Sequence, residues 1–288
     1  MRIFVTGASG QLGSALRHLS TPNHDLTAVT RAEFDIANPE HVARLGAGEL
    51  GAFDAIINAA AYTKVDRAES ERQAAHDANA LGPGYLAHAA ERLRARLVHI
   101  STDFVFDGHA DRPYVETDAT GPTSVYGQTK LEGERAASGF DTLIFRTSWV
   151  FSPYGPCFPA TMLRLAQSGK PLRVVADQTG TPTAADDLAA TILAALEAGI
   201  PSGVYHAAGP DICTWHAFAR QVLDAAGFSD VEVAPIPTSE YPTPARRPAY
   251  SALDGRKLAA TGAARFRPLA DTIAEFVTRA ASSARSDP

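Results

Sequence analysis

The sequence has 288 residues, 45% of them hydrophobic and 20% charged, with a formal net charge of −6. This length accommodates one large α/β domain, or a large and a small one, and the acidic balance argues against a nucleic-acid partner, which selects a basic face. No apolar run is long enough to span a membrane, the amino terminus lacks a signal peptide's apolar region, and Cys157 and Cys213, without metal-ligand spacing, suit a reducing cytoplasm and read as packed core thiols.

Arg2 to Thr6 is a short apolar strand. It enters a turn spaced Gly7-x-x-Gly10-x-x-Gly13, followed by a helix with Leu12, Ala15, Leu16 and Leu19 on one side. Strand, glycine turn and helix together let the backbone approach a pyrophosphate and aim helix amides at it; a tight structural turn is the plainer alternative. Leu26 to Thr30 is the second strand, and Thr30-Arg31 stands where an acidic residue would bond an adenosine ribose. Arg31 therefore favours NADPH over NADH, with NADH left open and a merely solvated arginine as the alternative. Asp35-Ile36 follows within reach of an adenine, and Asn38-Pro39 reads as cap and first turn of a helix through Leu45.

Phe53 to Asn58 is a buried strand, and the small residues after it, through Ala60, Ala61, Tyr62 and Thr63, permit close approach of a cofactor. Helices are expected over 68–80 and 85–94, separated by Gly82-Pro83-Gly84. The strand Arg96 to Ser101 delivers Ser101-Thr102-Asp103 to the carboxyl edge of the sheet, where ligands bind in open α/β folds. A polar, turn-rich stretch over 107–122 leads to a helix over 123–137, then to a strand over 142–150. Beyond it prolines cluster. Helices over 158–167, 184–197 and 214–225, a strand over 203–207 and the arginine pair Arg246-Arg247 complete the chain before a polar tail after Ala281. The fold expected is α/β, a Rossmann-type doubly wound parallel sheet over 1–150, with a smaller, interleaved substrate lobe over 151–288 and a return to the sheet over about 170–208.

Tyr126 and Lys130 lie four apart, one turn along a helix face. An ammonium beside a phenol favours the phenolate and lowers its pKa towards the working pH, which makes a tunable proton donor for a carbonyl that accepts hydride. The plainer alternative is an amphipathic surface helix.

The glycine turn, the stretch Asn58-Ala59-Ala60-Ala61-Tyr62-Thr63-Lys64-Val65-Asp66, Ser101-Thr102-Asp103, Val125-Tyr126-Gly127, Phe145-Arg146-Thr147-Ser148-Trp149-Val150 and Tyr241-Pro242-Thr243-Pro244-Ala245-Arg246-Arg247-Pro248 together resemble the extended short-chain dehydrogenase/reductases, and within them the dTDP-4-dehydrorhamnose reductases. The resemblance implies reduction of a 4-keto sugar on dTDP. It implies a cofactor lined by Gly10, Gln11, Leu12, Asp35, Ile36, Ala61, Tyr62 and Thr63, a proton from Tyr126, Lys130 on the nicotinamide ribose, Thr102 beside the reacting oxygen, and Asp103 and Trp149 on the sugar. Charge alone adds Arg246 or Arg247 on the diphosphate, or else as structural ion-pair partners. Some members resembled are dimers bridged by magnesium on glutamates; Ala15 and Asp186 stand at two of those places, so no metal is expected, and a monomer or weak dimer is. Phe104 replaces a common tyrosine, which leaves the preferred sugar open. Rival readings are a 4-ketoreductase for another dTDP-deoxysugar, an epimerase or dehydratase that retains its cofactor, and a non-catalytic NADP-binding regulatory subunit.

Overall fold

A computed structural model describes residues 1–19, 22–139 and 141–284; the end of the polar tail, 285–288, lies outside the described residues. The first half alternates strand and helix. Its elements are β1 (Arg2–Thr6), α1 (Gln11–His18), β2 (Asp25–Val29), α2 (Pro39–Gly46), β3 (Ala55–Asn58), α3 (Val65–Ala68), α4 (Arg72–His76), α5 (Gly82–Leu93), β4 (Arg96–Thr102), α6 (Val125–Ala137) and β5 (Thr142–Thr147). Then come β6 (Val150–Phe151), α7 (Phe158–Ala166), β7 (Leu172–Val175), β8 (Thr179–Gly180), β9 (Thr183–Ala184), α8 (Ala185–Ala198) and β10 (Gly203–His206). The chain closes with β11 (Cys213–Thr214), α9 (Trp215–Ala225), β12 (Val233–Ile236), α10 (Arg256–Ala259) and α11 (Leu269–Ala284).

Six strands form one parallel sheet in the order β10-β5-β4-β3-β1-β2. Every residue of β3 and β5 is buried, as expected where helices cover both faces of a parallel sheet. One face packs Ile3, Val5 and Ile57 against Leu12 and Leu16 of α1 and Leu188 and Ile192 of α8. The other packs Phe4, Ile56 and Leu97 against Val42 and Leu45 of α2 and Leu86 of α5. The Asn38 cap forms as expected: its Oδ1 accepts from the Glu40 amide at 2.9 Å, with Pro39 in the first turn. The register sets Thr6 beside Asn58 and Thr102 beside Thr147, each at the carboxyl end of its strand.

Three expectations are corrected. Gly82-Pro83-Gly84 does not separate two helices: α4 runs through a π turn, Asp77–Leu81, straight into α5. Gly82 serves close packing, since a Cβ there would sit 2.8 Å from Ile36, and Pro83 falls in the first turn of α5, where its missing N–H is least felt. The strand over 142–150 breaks after Thr147 because Trp149 takes a positive φ of 47°, and β6 then leaves the sheet to pair with β9. The stretch from about 170 does not return at once: β7 pairs with β12. The returning elements are α8, on the sheet face, and β10, its edge strand. Away from the sheet, α7, α9 and α11 enclose a second core around Phe151, Phe218, Val222, Ile273 and Phe276.

Candidate active site

The glycine turn is closed by backbone contacts that a side chain would prevent. Gly7 has φ +73°, and a Cβ on it would lie 2.7 Å from the backbone of Ala59 and Ala60; one on Gly13 would lie 2.2 Å from the Gly7 carbonyl oxygen. Gly10, at the cap of α1, offers no side-chain cap, and no acidic residue stands in the first turn. The amides that open α1 are therefore left for an anion, and this end of the helix fits the pyrophosphate of a dinucleotide. Gln11 is tied across the site, its Oε1 accepting from Ser152 Oγ at 3.0 Å. Leu12 and Ile36 put their side chains into the core, which leaves only their backbones to face a ligand. Arg31 is exposed at the end of β2 and pairs with Asp35 at 3.2 Å. Ala61 and Thr63 are exposed, Ala60 and Tyr62 half-buried. The Tyr62 backbone is pinned by Asn79, which accepts from its N–H at 2.8 Å and donates to its carbonyl at 3.1 Å.

Helix α6 carries Tyr126 and Lys130 and is pressed onto its neighbours at two glycines. A Cβ on Gly127 would lie 2.2 Å from the Phe104 carbonyl oxygen, and one on Gly133 would lie 1.9 Å from that of Asn79. Ser124 caps the helix, its Oγ accepting from the Gly127 amide at 3.2 Å, and Asn79 donates to Thr129 Oγ1 at 3.2 Å. The π turn thus aims one buried amide at the cofactor-side loop and at the Tyr126 helix together. Tyr126 is half-buried, edge-on to Phe104 at 5.6 Å, and packs with Tyr62 against Ala68, Ala75 and Val125. Lys130 is 2% exposed and donates to the Ile100 carbonyl at 2.6 Å. Thr102 donates to Asp103 Oδ1 at 2.9 Å, and Ser148 donates to Asp103 Oδ2 at 3.2 Å.

Electrostatics correct the expected tuning of the phenol. Burial pushes Tyr126 up to about 12, Asp103 adds to that, and hydrogen bonding with Thr102 opposes it. The Lys130 ammonium is itself pulled down to about 8 by burial, with Glu134 pushing back. In water-poor surroundings both charged forms are penalised, so the phenol stays protonated, which is the state that donates. Asp103 is raised to about 6 by burial against hydrogen bonds from Ser251, Thr102 and Ser148.

On the far side Trp149 stacks face to face on Trp215, ring centroids 3.5 Å apart and planes 9° apart. It lies against Gly180, where a Cβ would meet the indole at 2.5 Å. Arg247 is ion-paired with Asp66 at 2.7 Å, the structural role left open above, but its Nη1 is buried without a partner. Arg246 is exposed beside it. Among the described residues no group of three or more His, Cys, Asp or Glu side chains gathers as a metal set; Asp186 pairs with Arg279 at 2.7 Å.

Sequence reasoning missed Asn79, Ser148, Trp215, Ser251 and Glu134. Glu134 had a signal, the continued spacing of four after Tyr126 and Lys130. The others meet the site only through contacts distant in sequence.

The family model described as RmlD substrate binding domain matches residues 1–282. A dTDP-4-dehydrorhamnose reductase of Burkholderia thailandensis is 44% identical over 90% of this chain and 92% of its own length. The crystal structure of a dTDP-4-dehydrorhamnose reductase from Clostridium acetobutylicum superposes with a TM-score of 0.92 at 37% identity, covering 96% of this chain and 99% of its own. That of the Bacillus anthracis reductase, in complex with NADP, gives 0.91 at 34% identity, covering 96% and 98%. The chain belongs to the dTDP-4-dehydrorhamnose reductase family.

Proposed function

We propose that this protein reduces the 4-keto group of dTDP-4-dehydro-L-rhamnose to give dTDP-L-rhamnose, with NADPH as reductant. When bound, the dinucleotide supplies the hydride. The observation that carries the reading is the gathering of Thr102, Tyr126 and Lys130 at the carboxyl edge of a parallel sheet whose first strand leads into the uncapped amino end of α1. The reductases named above support the substrate, and the NADP-bound one supports the cofactor.

In this reading Tyr126 gives its proton to the sugar carbonyl oxygen. Thr102, hydrogen-bonded to Asp103 and bearing on the phenol in the sense that favours the phenolate, orients the phenol beside it. Lys130, fixed by the Ile100 carbonyl, holds the nicotinamide ribose and offers positive charge to the phenolate that forms. The backbones of Gly7, Gly10, Gln11, Leu12 and Gly13 take the pyrophosphate, Arg31 the 2′-phosphate beside Asp35 and Ile36, and Ala60, Ala61, Tyr62 and Thr63 one side of the dinucleotide. Asp103 and Trp149 face the sugar, and Arg246 with the unpartnered Nη1 of Arg247 meets the diphosphate. Residues 1–150 with α8 and β10 form the cofactor domain, and the rest the substrate lobe. The protein works in the cytoplasm, where its unpaired Cys157 and Cys213 stay reduced, as a monomer or weak dimer.

A second reading, another dTDP-4-dehydro-6-deoxyhexose as substrate, is favoured by Phe104, which sets an apolar ring edge-on to the acid. The test is NADPH oxidation against a panel of dTDP-4-keto sugars, with products identified by NMR. The reading expects one NADPH consumed per sugar, fastest with dTDP-4-dehydro-L-rhamnose. No net consumption with any of them would point to a retained-cofactor epimerase or a regulatory subunit instead.

A further inference from the structure

Positions 126, 130 and 134 fall one turn apart on a single face of α6, and β4 meets them with three consecutive residues. The Ile100 carbonyl accepts from Lys130 Nζ at 2.6 Å, Ser101 Oγ donates to Glu134 Oε1, and Thr102 bears on Tyr126. Glu134 is 4% exposed. Arg146 of β5 forks onto it, Nε to Oε1 at 2.8 Å and Nη2 to Oε2 at 2.7 Å. The guanidinium lies over the Phe106 ring at 5.0 Å.

We propose that Glu134 is the positioning residue for Lys130, anchoring α6 to the ends of β4 and β5 and serving as the buried counter-charge of the Lys130 ammonium during ketone reduction. This rests on the reading of Tyr126 as acid and Lys130 as its electrostatic partner. Taking two charges out of water costs more than an apolar pair of similar size, so a buried Arg–Glu pair is a poor device for stability alone. Here it sets a carboxylate one helical turn from a lysine that must be charged to act.

The charged groups around Lys130 come from three elements. On α6 they are Tyr126 and Glu134. On and just after β4 they are His99 and Asp103, and on β5 Arg146. His99 is held neutral by burial and by Lys130 itself, and Asp103 bears on Tyr126. Glu134 is the carboxylate that pushes the lysine back towards its charged form.

The experiment is the pH dependence of kcat at saturating NADPH and sugar for the wild type, Glu134→Gln, and Glu134→Gln/Arg146→Met, alongside their Tm and NADPH affinity. The wild-type rate falls above pH about 8, as Lys130 loses its charge. Glu134→Gln moves that limb towards acid by about one pH unit and lowers Tm, because Arg146 loses its partner. The double variant recovers Tm and keeps the displaced limb.

A limb that stays in place in folded, NADPH-binding Glu134→Gln overturns the proposal. So does a double variant that restores limb and Tm together, or failure of both variants to fold, since either assigns the pair a structural role alone. Inactive Tyr126→Phe beside an unmoved limb rejects this inference only, whereas active Tyr126→Phe rejects the reading beneath it.

Discussion

The two walls of the site are built by different means. On the sheet side, α6 is seated by backbone: carbonyl oxygens of Phe104 and Asn79 occupy the space where Cβ atoms of Gly127 and Gly133 would be, and a buried ion pair, the Arg146–Glu134 fork, ties it to β5. On the substrate side, Trp149 rests on one glycine, Gly180, and is otherwise seated by side chains. Trp215 stacks on it, Phe158 tilts against Trp215 at 4.6 Å, and Phe218 and Phe151 continue the aromatic packing. Charges there lie nearer the surface, in pairs such as Arg267–Asp187 and Arg279–Asp186. A wall made of backbone contacts fixes proton-donor geometry and tolerates no added volume. A wall made of side chains can be repacked, which suits the part that selects a sugar.

That contrast can be broken in graded ways. Gly133→Ala should cost the most stability, about 3 kcal/mol from forced overpacking, read as a fall of several degrees in Tm. Gly155→Ala, with open space around its Cβ, should stay within about 0.5 kcal/mol. Equal effects at the two glycines would remove the distinction. Next comes Trp215→Ala, which frees Trp149 without touching α6. It should raise the sugar KM roughly tenfold, about 1.4 kcal/mol, while kcat changes little; a loss in kcat with KM unmoved would make the aromatic wall part of the chemistry. The smallest effect is expected at Arg31→Ala. Exposed and shared with Asp35, this arginine is worth about 1 kcal/mol, so the preference for NADPH over NADH should fall roughly fivefold in kcat/KM, and an unchanged ratio would return Arg31 to a solvated role.

How much of this was legible in the sequence follows the same division. The strand–glycine–helix opening, the Tyr126–Lys130 spacing and the parallel sheet are local or periodic signals, and each appears in the structure. Features that depend on distant contacts did not show. Gly82-Pro83-Gly84 looks like a helix break until Ile36 is seen against Gly82. Nothing near Trp149 announces its positive φ, and the ring's partners are remote, Trp215 66 positions further on and Gly180 beneath it. The Arg247–Asp66 pair spans 181 positions. The phenol's pKa was misjudged because sequence gives the neighbouring charge but not the burial, and burial is the larger cause.

The central claim is that the Tyr126 hydroxyl delivers the proton that accompanies reduction. It is tested most directly by NADPH oxidation with dTDP-4-dehydro-L-rhamnose in wild type and Tyr126→Phe, with NADPH affinity measured on both. The variant, which keeps the ring against Phe104 and the Ala68–Ala75–Val125 cluster, should bind NADPH as the wild type does and lose nearly all turnover, on the order of a hundredfold or more. Retention of half the wild-type rate would contradict it.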